Sequence, residues 1–275
     1  MRFEPRVADA AVNVTEGGQL GEFGRLVVGF LAAGFALLVT LFLLVDVLVR
    51  FVDADLENRL FAGRFPIGEA PAEFGEPALA AQALLARLQT HWPDSPYRFE
   101  LRVADEEDEP NAVALPGGTV VVTRGLLEAV ESENELAFVL GHELGHFHGR
   151  DHLRGMGRGV VMAATLAFVG LGTAGDLGSM IASATVLGFG REQERTADSY
   201  GLSLLLAEYG HAAHATRFFE RLEAKQGDRG ALEAWVSTHP LSAERVRALR
   251  TEIAAAGMAV DGEVRPLVPM TDPTQ

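Results

Sequence analysis

The chain has 275 residues, and its 23 Lys and Arg against 38 Asp and Glu give a formal net charge of −15. So acidic a chain is unsuited to sequence-independent nucleic-acid binding, which requires cations that replace the counterions of phosphate, and we expect no nucleic-acid partner. The hydrophobic content of 48% supports a packed core of one or two domains. Cysteine is absent, which excludes disulfides, thiol nucleophiles and Cys-ligated zinc.

The first predicted element is an uncharged apolar stretch over residues 26–45. As a helix it would be about 30 Å long, the thickness of a bilayer's hydrocarbon core. A signal peptide has a shorter apolar region and a small-residue cleavage site. We therefore predict an N-terminal tail over 1–25 and a transmembrane anchor over 26–49. Three arginines precede the stretch and three follow it closely, so the positive-inside rule leaves the orientation open.

After the anchor we predict a linker over residues 50–76, which are rich in glycine and proline towards their end. A helix is predicted next, from Pro77 to His91. Its apolar residues at helical spacing are Leu79, Ala83, Leu84 and Leu88.

Short strands follow the helix. Apolar and polar residues alternate over 97–103, the period of a half-buried strand. The carboxylate run 105–109 lacks the spaced ligands and turn glycine of a calcium loop, and we interpret it as a solvated hairpin loop. Two further strands, over 111–115 and 119–123, are predicted on either side of a Pro-Gly-Gly turn.

Helices dominate the rest of the sequence. Ser132 and Glu135 form a capping box ahead of an apolar run. Residues 153–190 are rich in glycine, alanine and aliphatics, which predicts a helical hairpin packed on the domain or on the membrane surface; a second membrane hairpin is the alternative. Further helices are predicted over 191–208, 212–225 and 242–256.

One glycine pattern is a decoy. Gly170, Gly172 and Gly175 match the dinucleotide-binding fingerprint, but no predicted strand precedes them. We therefore expect no nucleotide partner.

The candidate metal-binding and catalytic residues lie in the sequence His142-Glu143-Leu144-Gly145-His146. Histidines four apart share one helix face, and each can offer a ring nitrogen to one zinc ion. Glu143 cannot easily join them, but its carboxylate can take a proton from water and pass it to a leaving amine. Such polar residues in an otherwise aliphatic helix are costly without a metal as partner.

Catalytic zinc requires a third protein ligand and an open position for water. The candidate is Glu194, at the start of a predicted helix 48 residues after His146. Asp198 lies one turn further along the same face, where it can accept the free N–H of a zinc-bound histidine. In isolation Glu192 and Glu194 would be typical of a solvated, salt-bridged helix start.

These residues, with Arg191 three before the glutamate, resemble the membrane-associated zinc metallopeptidases of peptidase family M48, which include HtpX and the CAAX prenyl endopeptidases. The resemblance covers roughly residues 97–250. It includes further short motifs in the family's order, at residues 111–118, 122–127, 132–136 and 238–240.

The resemblance implies an α+β fold: a predominantly α-helical, zincin-like metallopeptidase domain with a small β-sheet over residues 77–260, preceded by one transmembrane helix and followed by a tail over 261–275. It also implies one Zn²⁺ per chain. His142, His146 and Glu194 would be the zinc ligands and Glu143 the general base and acid. Asp198 and Arg191 would support the ligands.

The resemblance further implies an edge strand beside the cleft that pairs with an extended peptide substrate. Its substrate-binding residues would be Asn111, Ala112, Val113 and Ala114. His239 would lie near the metal as a further catalytic residue. It would either stabilise the developing oxyanion or cap the zinc in a resting state.

We therefore predict a single-pass, membrane-anchored zinc endopeptidase, in a bacterial inner membrane, that cleaves unfolded or membrane-associated proteins as a quality-control enzyme. Its partners would be polypeptide substrates and the lipid bilayer. One alternative is a non-cleaving membrane-tethered chaperone or assembly factor that uses the same groove. Another is a multi-span prenyl-protein peptidase, in which residues 159–190 would cross the bilayer.

Overall fold

The computed structural model describes residues 19–61, 68–105, 109–170, 190–224, 238–239 and 243–267. The helices within these ranges are α1 (Gln19–Leu48), α2 (Ala54–Phe61), α3 (Gly75–Thr90), α4 (Arg124–Ala129), α5 (Glu133–Gly149), α6 (Asp151–Phe168), α7 (Arg191–Tyr209), α8 (Arg217–Ala224) and α9 (Ala243–Ala255). The strands are β1 (Glu100–Ala104), β2 (Ala112–Leu115) and β3 (Thr119–Thr123). The chain divides into two units, Met1–Leu44 and Val45–Gln275.

Helix α1 is long and apolar enough to cross a bilayer. The candidate span is Leu20–Phe51, with a mean hydropathy of 2.6, and within the described residues no other helix qualifies. The helix begins at Gln19, seven residues before the predicted anchor over 26–49, and it includes Gly21 and Gly24. The predicted domain bounds stay predictions.

The second unit combines many helices with one small sheet, which confirms the predicted α+β fold. The strand order is β1-β3-β2. Strands β2 and β3 pair antiparallel across the predicted Pro-Gly-Gly turn, whereas β1 pairs parallel with β3.

The prediction of a hairpin across the acidic run 105–109 is wrong, because β3 lies between β1 and β2. Every residue of β3 is buried, so the most buried strand occupies the centre of the sheet. Alternation within one strand does not reveal which neighbour it pairs with. Residues 106–108 of the run lie outside the described residues.

The structure differs from the predicted linker over residues 50–76. Helix α2 forms within this segment, and Glu57 at its middle is fully buried. Glu69 forms an isolated bridge with Val103 of β1, with N···O distances of 2.8 and 3.0 Å. Glycine and proline mark where helices break, but they do not show whether the segment packs on the domain.

Helix α3 matches its predicted position, but its buried face is displaced from the predicted one. The buried apolar residues are Ala78, Ala81, Leu84, Leu85 and Leu88. Leu79 is 49% exposed, and Ala83 is also exposed. Alanines occur on several faces of this helix, so apolar periodicity did not determine which face turns inward.

Helices α5 and α7 approach each other along small residues. A β-carbon added to Gly145 would lie 2.7 Å from the Cα of Ala197, and one added to Gly201 would lie 2.8 Å from the backbone nitrogen of His142. Their backbones are therefore in contact. This contact brings two sequence segments that are 48 residues apart to one site.

The remaining helical predictions agree in part with the structure. Helices α7, α8 and α9 correspond to the three predicted C-terminal helices, with α8 beginning later, at Arg217. Helix α6 forms the first half of the predicted hairpin over 153–190. The second half, residues 171–189, lies outside the described residues.

Candidate metal centre

The metal-binding motif lies in the second half of helix α5. Ser132 caps the helix, since its hydroxyl accepts a hydrogen bond from the Glu135 N–H at 3.3 Å. His142, Glu143 and His146 are all fully buried. The helix therefore presents its polar residues to the interior of the domain.

The predicted ligands converge. The Nε2 atoms of His142 and His146 are 3.1 Å apart, and those two atoms lie 3.7 and 3.4 Å, respectively, from carboxylate oxygens of Glu194. A tetrahedral zinc ion with bonds of about 2.0–2.1 Å separates its ligand atoms by about 3.3–3.4 Å. The donor types and their spacing therefore fit zinc.

A third imidazole faces the same point. His239 Nδ1 lies 3.1 Å from His142 Nε2 and 3.2 Å from Glu194 Oε1. Its Nε2 lies 3.2 Å from the carbonyl oxygen of Ala112. A carbonyl oxygen only accepts, so Nε2 carries the proton and Nδ1 keeps its lone pair towards the ligand group.

Carboxylates orient the two histidines of α5. His142 Nδ1 donates to Asp198 at 2.9 Å, and His146 Nδ1 donates to Asp151 at 3.1 Å. A proton on Nδ1 directs the lone pair of each Nε2 towards the metal position. Asp151 was not predicted, although a carboxylate just beyond the C-terminus of the helix is the available signal.

A buried arginine, Arg245 of α9, supports the carboxylates. It is 4% exposed, it donates two hydrogen bonds to Asp198 at 2.9 and 2.7 Å, and it forms an ion pair with Glu194. Arg245 was not predicted as part of the site. The available signal is that Arg245 shares a helical stripe with the buried Leu249 and Ile253.

The prediction that Arg191 supports the ligands disagrees with the structure. Arg191 is exposed in the first turn of α7, and no hydrogen bond or ion pair joins it to the site in the described part of the chain. On a helix, residue 191 is three positions before Glu194, but its long side chain extends into solvent. Arg245 pairs with the carboxylates instead.

Glu143 lies beside the metal group in a position that suits proton transfer. It is fully buried, and neither carboxylate oxygen forms a hydrogen bond with a described residue. Nε2 of His239 lies 3.4 Å from Oε1 of Glu143. A buried carboxylate without such bonds costs folding free energy, so packing does not explain this glutamate.

The site's electrostatics suit a divalent cation. Burial raises the pKa of Glu194, but its electrostatic interaction with His239 and the hydrogen bond from His146 outweigh burial, so the pKa lies well below its usual value. Burial lowers the pKa of His142, which favours the neutral ligand form. Opposing burial, the hydrogen bonds to Asp151 and Glu194 raise the pKa of His146 to about 9. Metal binding would displace that proton.

Strand β2 lies at the edge of the sheet beside the metal group. The backbone carbonyl of Asn111 accepts from the N–H of Thr123, towards β3, whereas the carbonyl of Ala112 faces His239. By alternation, the main-chain groups of Ala112 and Ala114 lie on the free edge. Both residues are buried and Val113 is partly buried.

Known proteins resemble much of this chain. Mitochondrial metalloendopeptidase OMA1 of Schizosaccharomyces pombe is 31% identical over 209 residues, which cover 72% of this chain and 62% of that protein. Its Arabidopsis thaliana namesake is 37% identical over 141 residues, or 50% and 28% of the two chains. Metalloprotease LoiP of Escherichia coli is 30% identical over 158 residues, or 54% and 60%. The matches thus span less than two thirds of the length of each relative.

The family model of peptidase family M48 matches residues 78–253, well over half of the chain. The matched residues include helices α5 and α7 with all of the converging donors. The apolar helix α1 and these relatives together support a membrane protein. The chain belongs to peptidase family M48, a family of zinc metallopeptidases.

Proposed function

We propose that the chain is a membrane-anchored, zinc-dependent endopeptidase that hydrolyses peptide bonds in unfolded or membrane-associated proteins. One observation carries this proposal. Three imidazoles and a carboxylate, all buried, offer ligand atoms within 4.8 Å of one another. Nitrogen and carboxylate oxygen donors gathered this closely are a ligand set that suits zinc.

In this proposal His142, His146 and Glu194 hold one zinc ion per chain. Bound zinc supplies a Lewis acid that polarises a carbonyl and lowers the pKa of water. Side chains of the protein orient the ligands and keep them in the required protonation state. Asp198 and Asp151 hold the proton on Nδ1 of each histidine, and the positive charge of Arg245 keeps the carboxylates beside it ionised.

Glu143 is the proposed general base and acid. Its carboxylate accepts the proton of the attacking water and then donates that proton to the nitrogen of the leaving amine. Its lack of hydrogen bonds to the described residues supports this role, because both oxygens remain available to water and substrate.

The proposed substrate is an extended segment of polypeptide that pairs with strand β2. The main-chain groups of Ala112 and Ala114 would bind the backbone of the substrate, with Asn111 and Val113 in the same strand. Backbone pairing predicts weak sequence selectivity, which suits the removal of unfolded proteins. Since Ala112 and Ala114 are buried, the atoms that cover this edge must first move away.

His239 is the proposed closing residue of a resting state. The proximity of its Nδ1 to the ligand atoms and of its Nε2 to the Ala112 carbonyl supports this role over oxyanion stabilisation. In this position it would occupy both the open coordination position and the free edge of β2. Its withdrawal would expose both at once.

The proposed location is a membrane crossed once, by helix α1, and we infer a bacterial inner membrane. The tie between flanking arginines leaves the side of the peptidase domain open. The relatives named mitochondrial metalloendopeptidase and the Vibrio cholerae relative named putative beta-barrel assembly-enhancing protease support a role in protein quality control.

Hydrolysis of unfolded casein by the full-length chain in detergent tests the proposal, with the Glu143→Gln variant as the comparison and zinc content measured in both. We expect one zinc ion per chain in each, and a rate at least about 10²-fold lower in the variant. Equal rates would contradict the role of Glu143. A zinc-loaded chain that suppresses aggregation without cleaving would indicate the chaperone alternative instead.

A further inference from the structure

A second buried carboxylate lies outside the metal group. Glu57 is on the short helix α2, six residues beyond the end of the candidate membrane span at Phe51. It is fully buried, although the helix is only eight residues long. It also precedes residues 78–253, which match the family model.

Donors surround both oxygens of Glu57. Oε1 accepts from His152 Nε2 at 2.8 Å and from the N–H of Gly117 at 2.9 Å. Oε2 accepts from the Tyr97 hydroxyl at 2.9 Å and from Arg150 at 3.4 Å. Burial raises the pKa of Glu57, but the hydrogen bond and the charge of His152 outweigh it, so the carboxylate is ionised.

Two of these donors lie at elements of the proposed site, Gly117 after β2 and Arg150 at the end of α5, whereas His152 lies in the first turn of α6 and Tyr97 precedes β1. Gly117 lies in the turn that follows β2 and has a φ of 88°. Arg150 ends α5 in the left-handed conformation, four residues after His146. His152 Nδ1 also lies 3.4 Å from the backbone oxygen of His146. One carboxylate therefore joins the end of the ligand helix to the turn of the edge strand.

We propose that Glu57 is a positioning residue that fixes strand β2 relative to helix α5, so that a peptide paired with β2 is presented to Glu143. This inference rests on the proposed function. It makes the segment just after the membrane span part of the framework of the active site. The metallopeptidase domain then does not begin at residue 77.

Positioning and mere stability predict different kinetics. Loss of folded molecules reduces the number of active sites and lowers the maximal rate, but it leaves the KM of the remaining molecules unchanged. Displacement of the substrate strand instead weakens peptide binding and raises KM. Separate measurement of the maximal rate and of KM therefore distinguishes a positioning role from a role in stability alone.

The experiment uses the full-length chain in detergent with a fluorogenic unfolded peptide. We expect Glu57→Ala to raise KM about tenfold, to keep one zinc ion per chain and to speed amide hydrogen exchange over residues 111–118. Glu57→Gln should stay within about threefold of the original KM. Its amide oxygen can accept from His152 and Gly117 while its N–H donates to the Tyr97 hydroxyl.

The matched control is Glu135→Ala, which removes another buried carboxylate, one that Arg221 binds at 2.6 and 2.7 Å. It should lower thermal stability and leave KM unchanged. If Glu57→Ala does not fold, Glu57→Asp replaces it with the same expectation, because the shorter side chain withdraws from Gly117.

An unchanged KM with unchanged exchange over 111–118, or an equal rise of KM in the control, would overturn the inference. The proposed function can fail separately. If the unsubstituted chain cleaves nothing, the dissociation constant of the same peptide and the hydrogen exchange still decide the role of Glu57. A larger dissociation constant and faster exchange in Glu57→Ala would support the positioning role of Glu57. No change in either quantity would overturn that role.

Discussion

At the residue scale, the site consists of side chains that face the metal position and side chains that hold them in place. Asp198 has the second role, because it binds His142 Nδ1 and Arg245 at once. Burial raises the pKa of Asp198, but the hydrogen bonds from His142 and Arg245 outweigh it, so the pKa is lowered. An ionised partner fixes the His142 ring with Nε2 towards the metal position.

Replacement of Asp198 should therefore weaken zinc binding. We expect Asp198→Asn to raise the dissociation constant of zinc about 10- to 100-fold, measured by competition with a chelator on the full-length chain. Asp94→Asn, at an exposed position, is the control and should leave the constant unchanged. Equal constants for the two variants would show that Asp198 does not orient the ligand.

Replacement of His239 distinguishes its two proposed roles. We expect His239→Ala to increase kcat/KM on unfolded casein by at least about threefold at unchanged zinc content, since the position that it closes becomes open. Three other protein ligands would retain the metal. A fall of kcat/KM by tenfold or more would assign His239 to oxyanion stabilisation instead.

The residues of α5 were predictable because their chemistry is local. His142 and His146 are four residues apart, so their spacing alone predicts a shared face, and Glu143 is adjacent to the first of them. Arg245 and Glu57 are different. The stripe that Arg245 shares with Leu249 and Ile253 indicates burial, but the partners of both residues lie at least 40 positions away, and no local pattern identifies such partners.

At the element scale, the close approach of α5 and α7 holds the site together. Gly145, inside the metal-binding motif, faces Ala197 of α7, which lies between Glu194 and Asp198 in sequence. The absence of a side chain at Gly145 lets α7 come near enough for its carboxylates to reach the histidines. A glycine at this point thus serves packing between helices.

Gly145→Ala should push the two helices apart. We expect a loss of about 1–3 kcal/mol in the free energy of unfolding, together with weaker zinc binding, because Glu194 would move away from the histidines. Thermal unfolding with and without zinc measures both effects. Unchanged stability and unchanged zinc affinity would mean that the helix backbones are not in contact there.

The elements themselves were largely predictable, but their neighbours were not. Capping at Ser132 and alternation in β1 depend on adjacent residues, and both features are present. The parallel pairing of β1 with β3 joins residues about 19 positions apart in sequence, which alternation within β1 does not encode, so the predicted hairpin was wrong. The position of α2 depends on side-chain contacts of Glu57 with distant residues, which a local pattern does not predict.

At the scale of the whole molecule, a peptidase unit follows an apolar helix in one chain. The match to the family begins at residue 78, but the folded unit begins at Val45 and includes α2. The apolar helix α1 agrees with the proposed membrane anchor. The proposed activity depends on one metal centre shared by two helices.

X-ray absorption at the zinc edge, on the full-length chain and on Glu194→Gln, tests that centre most directly. We predict one zinc ion per chain with four nitrogen or oxygen ligands at about 2.0–2.1 Å and scattering from at least two imidazoles. The Glu194→Gln variant should lose most of its zinc under the same dialysis. A chain without zinc, or a variant whose zinc content and spectrum match those of the original, would contradict the account.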